Sequence, residues 1–201
     1  MLNFQELIDH LHDKNFYIAE NFLPRPHAVE LQEMAQQLML ENHFRQAKVG
    51  SQNHAVSDNR IRSDVICWLE ENDASPAVQA YFSAMNQVSE TLNRELFLGL
   101  ASFESHFACY KAGTFYKKHS DQFQNKKQRR ISCVYYLNQD WQSADGGELK
   151  IYNPEDQLLA TVQPHFNHLV CFTSNLPHEV CTTHKTRLSI AGWFKTRDSL
   201  Y

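Results

Sequence analysis

Residues 187–194 read RLSIAGWF, and the alternation of apolar with other side chains marks a β-strand. This run is the last of a series. Short β-rich stretches occupy 101–110, 130–137, 147–152, 158–163 and 167–172. Turn signals separate them, among them Ala-Asp-Gly-Gly at 144–147 and Asn-Pro at 153–154. Many short strands at roughly regular spacing predict a barrel or a double-sheet jelly roll.

Upstream of residue 100 the pattern is helical. Leu2, Phe4, Leu7, Ile8 and Leu11 recur at helix spacing, and Phe16-Tyr17-Ile18 reads as a short strand. Pro24 and Pro26 open a second helix that runs to about residue 41 through Val29, Leu31, Met34, Leu38 and Met39. Residues 46–60 are polar and read as a loop, and Ile61 to Leu69 is strand-like. Ser75-Pro76 starts a long helix whose apolar face carries Val78, Tyr81, Phe82, Met85, Val88, Leu92 and Leu96. The expectation is one α+β domain over 1–201. Residues 1–99 form a helical and β support region, with helices on one outer face of the sheet. Residues 100–197 form the jelly-roll core.

The 201 residues suffice to bury a full core without staples. With 42% hydrophobic and 21% charged residues the composition is that of an ordinary globular protein. A net charge of -4 gives no global basic field, so neither nucleic acid nor membrane is an expected partner; Lys126, Lys127, Arg129 and Arg130 form only a local basic run. The five cysteines, Cys67, Cys109, Cys133, Cys171 and Cys181, are odd in number and contain no CxxC pair. That argues against a zinc ribbon or disulfide framework and for a reducing, cytoplasmic setting. The opening MLNFQELIDHLHDK lacks the apolar stretch of a signal peptide, and no run approaches the ~18 apolar residues of a membrane span.

His119-Ser120-Asp121 is weak evidence alone. It gains weight from Asn-Leu-Pro-His178-Glu-Val downstream and from Arg187 in the last strand. Two histidines and one carboxylate on one face of a metal leave positions open opposite, the pattern of non-haem Fe(II) oxygenases. Residues two apart on a strand point the same way, so His119 and Asp121 are expected to share one metal. Arg187 supplies a planar, permanently charged fork for a carboxylate. An iron site with an inward arginine suits 2-oxoglutarate, whose keto-acid end chelates metal and whose far carboxylate requires a cation. In isolation Arg187 reads first as a strand-end arginine paired with an acid, and Tyr110 and Tyr136 read also as core aromatics. The other histidines have no supporting spacing, and His165 and His168 read as surface residues of a turn.

The strings ACYKAGTFYKKHSD, VYYLNQDW, GGELKIY, NLPHEV and TRLSIAGWF, with IRSDVICWLE upstream, occur in this order. Over roughly residues 58–197 the chain resembles the 2-oxoglutarate-dependent prolyl 4-hydroxylases, especially the hypoxia-sensing prolyl hydroxylases and their bacterial relatives. The resemblance implies His119, Asp121 and His178 as iron ligands. It implies Arg187 and Tyr136 on the distal carboxylate of 2-oxoglutarate, Tyr110 near its other end, and Leu149 and Trp193 in the pocket wall. It places Arg62, Asp64 and Arg129 toward the substrate, with Asp64 paired to Arg129. It implies Fe(II), 2-oxoglutarate and O2, with ascorbate as reductant. The implied partner is a protein carrying the target proline, with elongation factor Tu as the candidate. The chain departs from the animal enzymes in three places. The Tyr110–His119 segment is one residue shorter, QFQNKKQRR after Asp121 is more basic, and Ala191 replaces a threonine.

Two other readings fit the same residues. One is a dioxygenase acting on a small molecule or another side chain. The other is a non-catalytic β-roll that holds a structural metal. Arg187 discriminates against the second, because a structural metal has no need of a buried cation facing it.

Overall fold

The alternating runs pair into two antiparallel sheets. The computed structural model describes residues 2–47, 58, 60–122 and 128–197. Three helices are α1 (Phe4–Lys14), α2 (Arg25–Leu40) and α3 (Pro76–Leu96). The strands are β1 (Phe16–Ala19), β2 (Arg45–Gln46), β3 (Val65–Leu69), β4 (Leu100–Tyr110), β5 (Tyr116–His119), β6 (Arg129–Tyr136), β7 (Leu149–Tyr152), β8 (Leu158–Val162), β9 (Leu169–Thr173), β10 (His178–Val180) and β11 (Arg187–Thr196). The larger sheet runs β1-β9-β6-β11-β4-β3-β2 and the smaller β5-β10-β7-β8. Their inner faces pack together to make the jelly roll: Ala108, Tyr110, Tyr136 and Phe172 of the larger sheet meet Leu149, Ile151 and Val180 of the smaller.

Period-2 alternation sorts the larger sheet's side chains between two cores. Phe107, Cys109, Ile131, Cys133, Tyr135, Leu188, Ile190 and Phe194 point outward, where the helices cover them with Leu7, Leu31, Tyr81, Met85 and Leu92. The opposite positions face the smaller sheet. Capping fixes the helix starts. Asn3 accepts from the Glu6 N–H at the head of α1, and Ser75 accepts from the Val78 N–H ahead of Pro76 in α3.

Several local expectations change. The strand-like stretch from Ile61 contracts to Val65–Leu69, because Ile61 and Arg62 turn to pair with the chain near Tyr116. β2, β5 and β10 are two to four residues long and leave no readable alternation. Most of the polar 46–60 stretch, and Lys126 and Lys127, lie outside the described residues. His165 and His168 are half-buried and meet edge to face at 5.5 Å instead of lying free on the surface.

The turn between β8 and β9 ties the N-terminal segment to the sheet. Asn167 is 3% exposed and adopts φ 62, which asparagine tolerates. Its Oδ1 accepts from the Leu23 N–H at 3.0 Å and the Tyr135 hydroxyl at 2.8 Å, and its Nδ2 donates to the Leu23 carbonyl at 2.8 Å. Asn167→Ala strands all three groups in the core. Urea denaturation should show a loss of about 2–4 kcal/mol; a loss within ±0.5 kcal/mol would mean that these bonds do not hold the segment.

Candidate metal centre

β5 and β10 are neighbours in the smaller sheet, and their register sets His178 directly opposite His119. The two imidazole centroids are 4.3 Å apart. Asp121 is not on the strand with His119, as the spacing had suggested: β5 ends at His119 and the chain bends before Asp121. The bend performs what strand alternation was expected to do. It turns the carboxylate back so that Oδ1 lies 3.6 Å from His119 Nε2 and Oδ2 lies 3.5 Å from His178 Nε2. One ligand atom from each of the three residues lies within 4.8 Å of the others.

Backbone carbonyls set the tautomers. His119 Nδ1 is 2.8 Å from the Lys117 carbonyl, and His178 Nδ1 is 3.0 Å from the Leu176 carbonyl. A carbonyl only accepts, so each Nδ1 carries a proton, and in the neutral imidazole that leaves Nε2 as the metal-facing donor atom. This orienting of ligand histidines through their other nitrogen is a regular feature of metal sites. Asp121 is oriented as well: the Ser132 hydroxyl donates to Oδ2 at 2.7 Å and lies 2.9 Å from Ser174 Oγ.

The charge states match a divalent cation. Burial opposes ionisation of Asp121, but His178, His119 and the Trp193 indole outweigh it and hold the carboxyl far below its usual range. Burial, followed by the neighbouring His119, depresses His178 to about 4 against the pull of Asp121. At neutral pH Asp121 is therefore a carboxylate and His178 a neutral nitrogen donor. Two imidazole nitrogens and one carboxylate on one side fit a non-haem iron and leave the opposite coordination positions free.

A second pocket element lies at the base of β11. Arg187 is 1% exposed. Its Nε donates to the Gly147 carbonyl at 2.9 Å and Nη1 to Ser189 Oγ at 3.3 Å. Neither Nη2 nor the Tyr136 hydroxyl makes a well-aligned hydrogen bond among the described residues, and the two side chains lie close enough for Arg187 to act on the phenol. The guanidinium lies 5.0 Å from the ring centroids of both Tyr110 and Tyr136. Burial pushes the Tyr136 phenol up to about 12 against the pull of Arg187, so it remains a donor. Two unpaired buried donors, one of them cationic, fit the distal carboxylate of a dicarboxylic acid. Gly147, at φ 68, lets the guanidinium approach: a Cβ there would meet Arg187 Cδ at 3.0 Å. Leu149, 1% exposed, packs beside Tyr110 and Tyr136.

The remaining predicted residues are Trp193, Arg62, Asp64 and Arg129. Trp193 lies under the Arg129 guanidinium, 3.7 Å from its ring centroid, with its indole directed to Asp121. Asp64 does not pair with Arg129. Both its oxygens accept from Arg62, at 2.6 and 2.8 Å, and it is fully buried, whereas Arg129 bonds Glu104 at 3.0 Å. Arg62 is two positions away on the same segment and reaches Asp64 first. Four residues escaped the sequence reading. Tyr116 stacks on His119, Ser132 and Ser174 orient Asp121, and His106 lies between Trp68 and Trp193 with both ring nitrogens unpartnered among the described residues. Counting by twos from Tyr136 and Tyr110 along β6 and β4 reaches Ser132 and His106, so a signal for those two existed.

Residues 105–195, which include the three metal-ligand candidates and Arg187, match the family model described as 2OG-Fe(II) oxygenase superfamily. A prolyl-4-hydroxylase from Pseudomonas putida is 33% identical and superposes with a TM-score of 0.86, over 96% of this chain and 99% of that one. A prolyl hydroxylase from Trichoplax adhaerens, solved with a peptide of the hypoxia inducible factor oxygen degradation domain, is 28% identical with a TM-score of 0.85, over 96% and 88% of the chains. The human prolyl hydroxylase EGLN3 is 29% identical over 191 residues, 92% of this chain and 80% of that protein.

Calorimetric titration with Mn(II) tests the oriented carboxylate. Ser132→Ala should weaken binding roughly tenfold to a hundredfold, the usual effect of removing a ligand's hydrogen-bond partner. Asp121→Ala should lose more while the fold persists. Unchanged affinity in Asp121→Ala would remove it from the ligand set.

Proposed function

This chain belongs to the 2OG-Fe(II) oxygenase superfamily, and from that premise we propose that it hydroxylates a prolyl residue of a protein at the 4-position. It is a dioxygenase that uses Fe(II), 2-oxoglutarate and O2, with ascorbate as the reductant. When bound, iron and 2-oxoglutarate supply the oxidation, in which 2-oxoglutarate leaves as succinate and CO2 and one oxygen atom enters the substrate.

The chain's own residues bind, orient and exclude water. His119, Asp121 and His178 would hold the metal through two nitrogens and one oxygen. Arg187 and Tyr136 would donate to the distal carboxylate, and Leu149 and Tyr110 would pack the wall. Trp193 lies between Asp121 and Arg129. Arg62, held by Asp64, and Arg129, on Glu104, are the cationic groups proposed to face a substrate. The unpaired Nη2 of Arg187 beside the unpaired Tyr136 hydroxyl is the observation that carries the cosubstrate site. A structural-metal module gives no account of it. The prolyl specificity rests on likeness to the Pseudomonas putida enzyme across nearly the full length of both chains.

The proposed substrate is a host protein, with elongation factor Tu first to be tested. The proposed setting is the reducing cytoplasm, which suits five free cysteines. Among the described residues no helix is long and apolar enough to cross a membrane.

The purified chain supplied with Fe(II), 2-oxoglutarate, ascorbate and elongation factor Tu should release succinate and add one oxygen to a Tu proline, read by peptide mass spectrometry. Arg187→Ala should cut succinate release roughly tenfold to a hundredfold, as loss of a hydrogen-bonded charge predicts. Hydroxylation of a different host protein would replace Tu as the substrate. Turnover on a small molecule, with no host protein modified, would overturn the prolyl reading.

A further inference from the structure

Tyr116 lies three residues before His119 on β5, and the two rings stack nearly parallel, with centroids 3.6 Å apart and planes 16° from each other. The hydrogen bond from Nδ1 to the Lys117 carbonyl fixes one edge of the His119 ring, and the stack fixes its face. An imidazole held both ways is restrained from turning its Nε2 away from Asp121. A metal bound at Nε2 draws electron density from the imidazole, and the negative π-face of a phenol ring stabilises that positive character. The stack therefore strengthens as metal binds.

Tyr116 is itself held from the other direction. The Arg62 guanidinium lies 4.7 Å from its ring centroid. Arg62 is clamped by both oxygens of Asp64, which is fully buried. The backbone reinforces the contact. Arg62 forms a bridge with Tyr116, the Lys117 N–H donates to the Ile61 carbonyl at 2.9 Å, and the Ser63 N–H donates to the Phe115 carbonyl at 3.2 Å. A buried carboxylate with both oxygens on one guanidinium needs no substrate to satisfy it.

We infer that Tyr116 is a positioning residue for the His119 metal ligand, and that the Arg62–Asp64 pair acts on the metal centre through Tyr116. The inference rests on the metal site proposed above and not on the identity of the substrate. It gives the segment at 61–64 a second task besides facing substrate: whatever displaces Arg62 loosens the ring that braces His119.

The test uses Co(II), whose visible absorption reports ligand geometry, titrated into the full chain without substrate. Tyr116→Leu should weaken Co(II) binding about tenfold or more and alter the spectrum. Tyr116→Phe, which keeps the stack, should stay within about twofold of the parent protein with the parent spectrum. Asp64→Asn, remote from the metal, should weaken binding by about threefold, and that effect should vanish in the Tyr116→Leu background. If Tyr116→Leu fails to fold, the Asp64→Asn and Arg62→Gln variants read in the Tyr116→Phe background carry the same test. Parent-like Co(II) affinity and spectrum in Tyr116→Leu, or in both of those variants, overturns the inference. An Asp64→Asn effect that persists in Tyr116→Leu shows a direct field on the metal and overturns the coupling. Loss of binding in His119→Ala without loss in Tyr116→Leu overturns this inference alone. Unchanged binding in both overturns the metal assignment with it.

Discussion

A guanidinium cannot neutralise itself by shedding a proton, so a buried arginine must be given an anion or neutral acceptors. Arg187 is enclosed between the two sheets with neutral acceptors for two of its nitrogens and nothing among the described residues for the third. No carboxylate of the chain comes to it within ion-pair distance among the described residues. This uncompensated charge constrains much of the surrounding architecture. It accounts for a glycine at 147, for two tyrosine rings flanking the cation, and for a pocket shaped to a ligand that arrives with its own negative charge.

The metal centre and this cation are built on different sheets. His119 and His178 sit on β5 and β10 of the smaller sheet, while Arg187 and Tyr136 sit on β11 and β6 of the larger. The distance between the two sites is thus fixed by how the sheets pack. Leu149, Ile151, Phe172 and Val180 form that packing, and the helices press on the outer side of the larger sheet. The apolar cores therefore serve function directly. They set the metal face on one sheet against the cation on the other.

Much of this was legible in the chain because its signals are periodic or chemical. The long helix after Ser75-Pro76 and the strand RLSIAGWF fall where apolar spacing places them. β5 and β10 were not legible. Four and three residues are too few for alternation to register, and β5 is lysine-rich, yet these strands carry both histidines. The site residues could be named before the strands that hold them, because His, Asp and Arg were picked out by chemistry and motif order. Tyr116 stayed hidden for the same reason as β5. The pairing of Asp64 with Arg129 failed because a partner two residues away on the same segment wins over one brought in by tertiary packing. His106 looked unremarkable in a histidine-rich chain, and only burial between two tryptophans sets it apart.

The central claim is that the free nitrogen of Arg187 and the Tyr136 hydroxyl receive the far carboxylate of 2-oxoglutarate while its other end meets the metal. Anaerobic equilibrium titration of 2-oxoglutarate into the Fe(II)-loaded protein tests it directly, comparing the parent chain with Arg187→Met. Saturable binding that weakens by roughly tenfold to a hundredfold in the variant, with Fe(II) affinity unchanged, is the predicted result. Equal affinity in the two proteins, or no saturable binding in the parent, would contradict it.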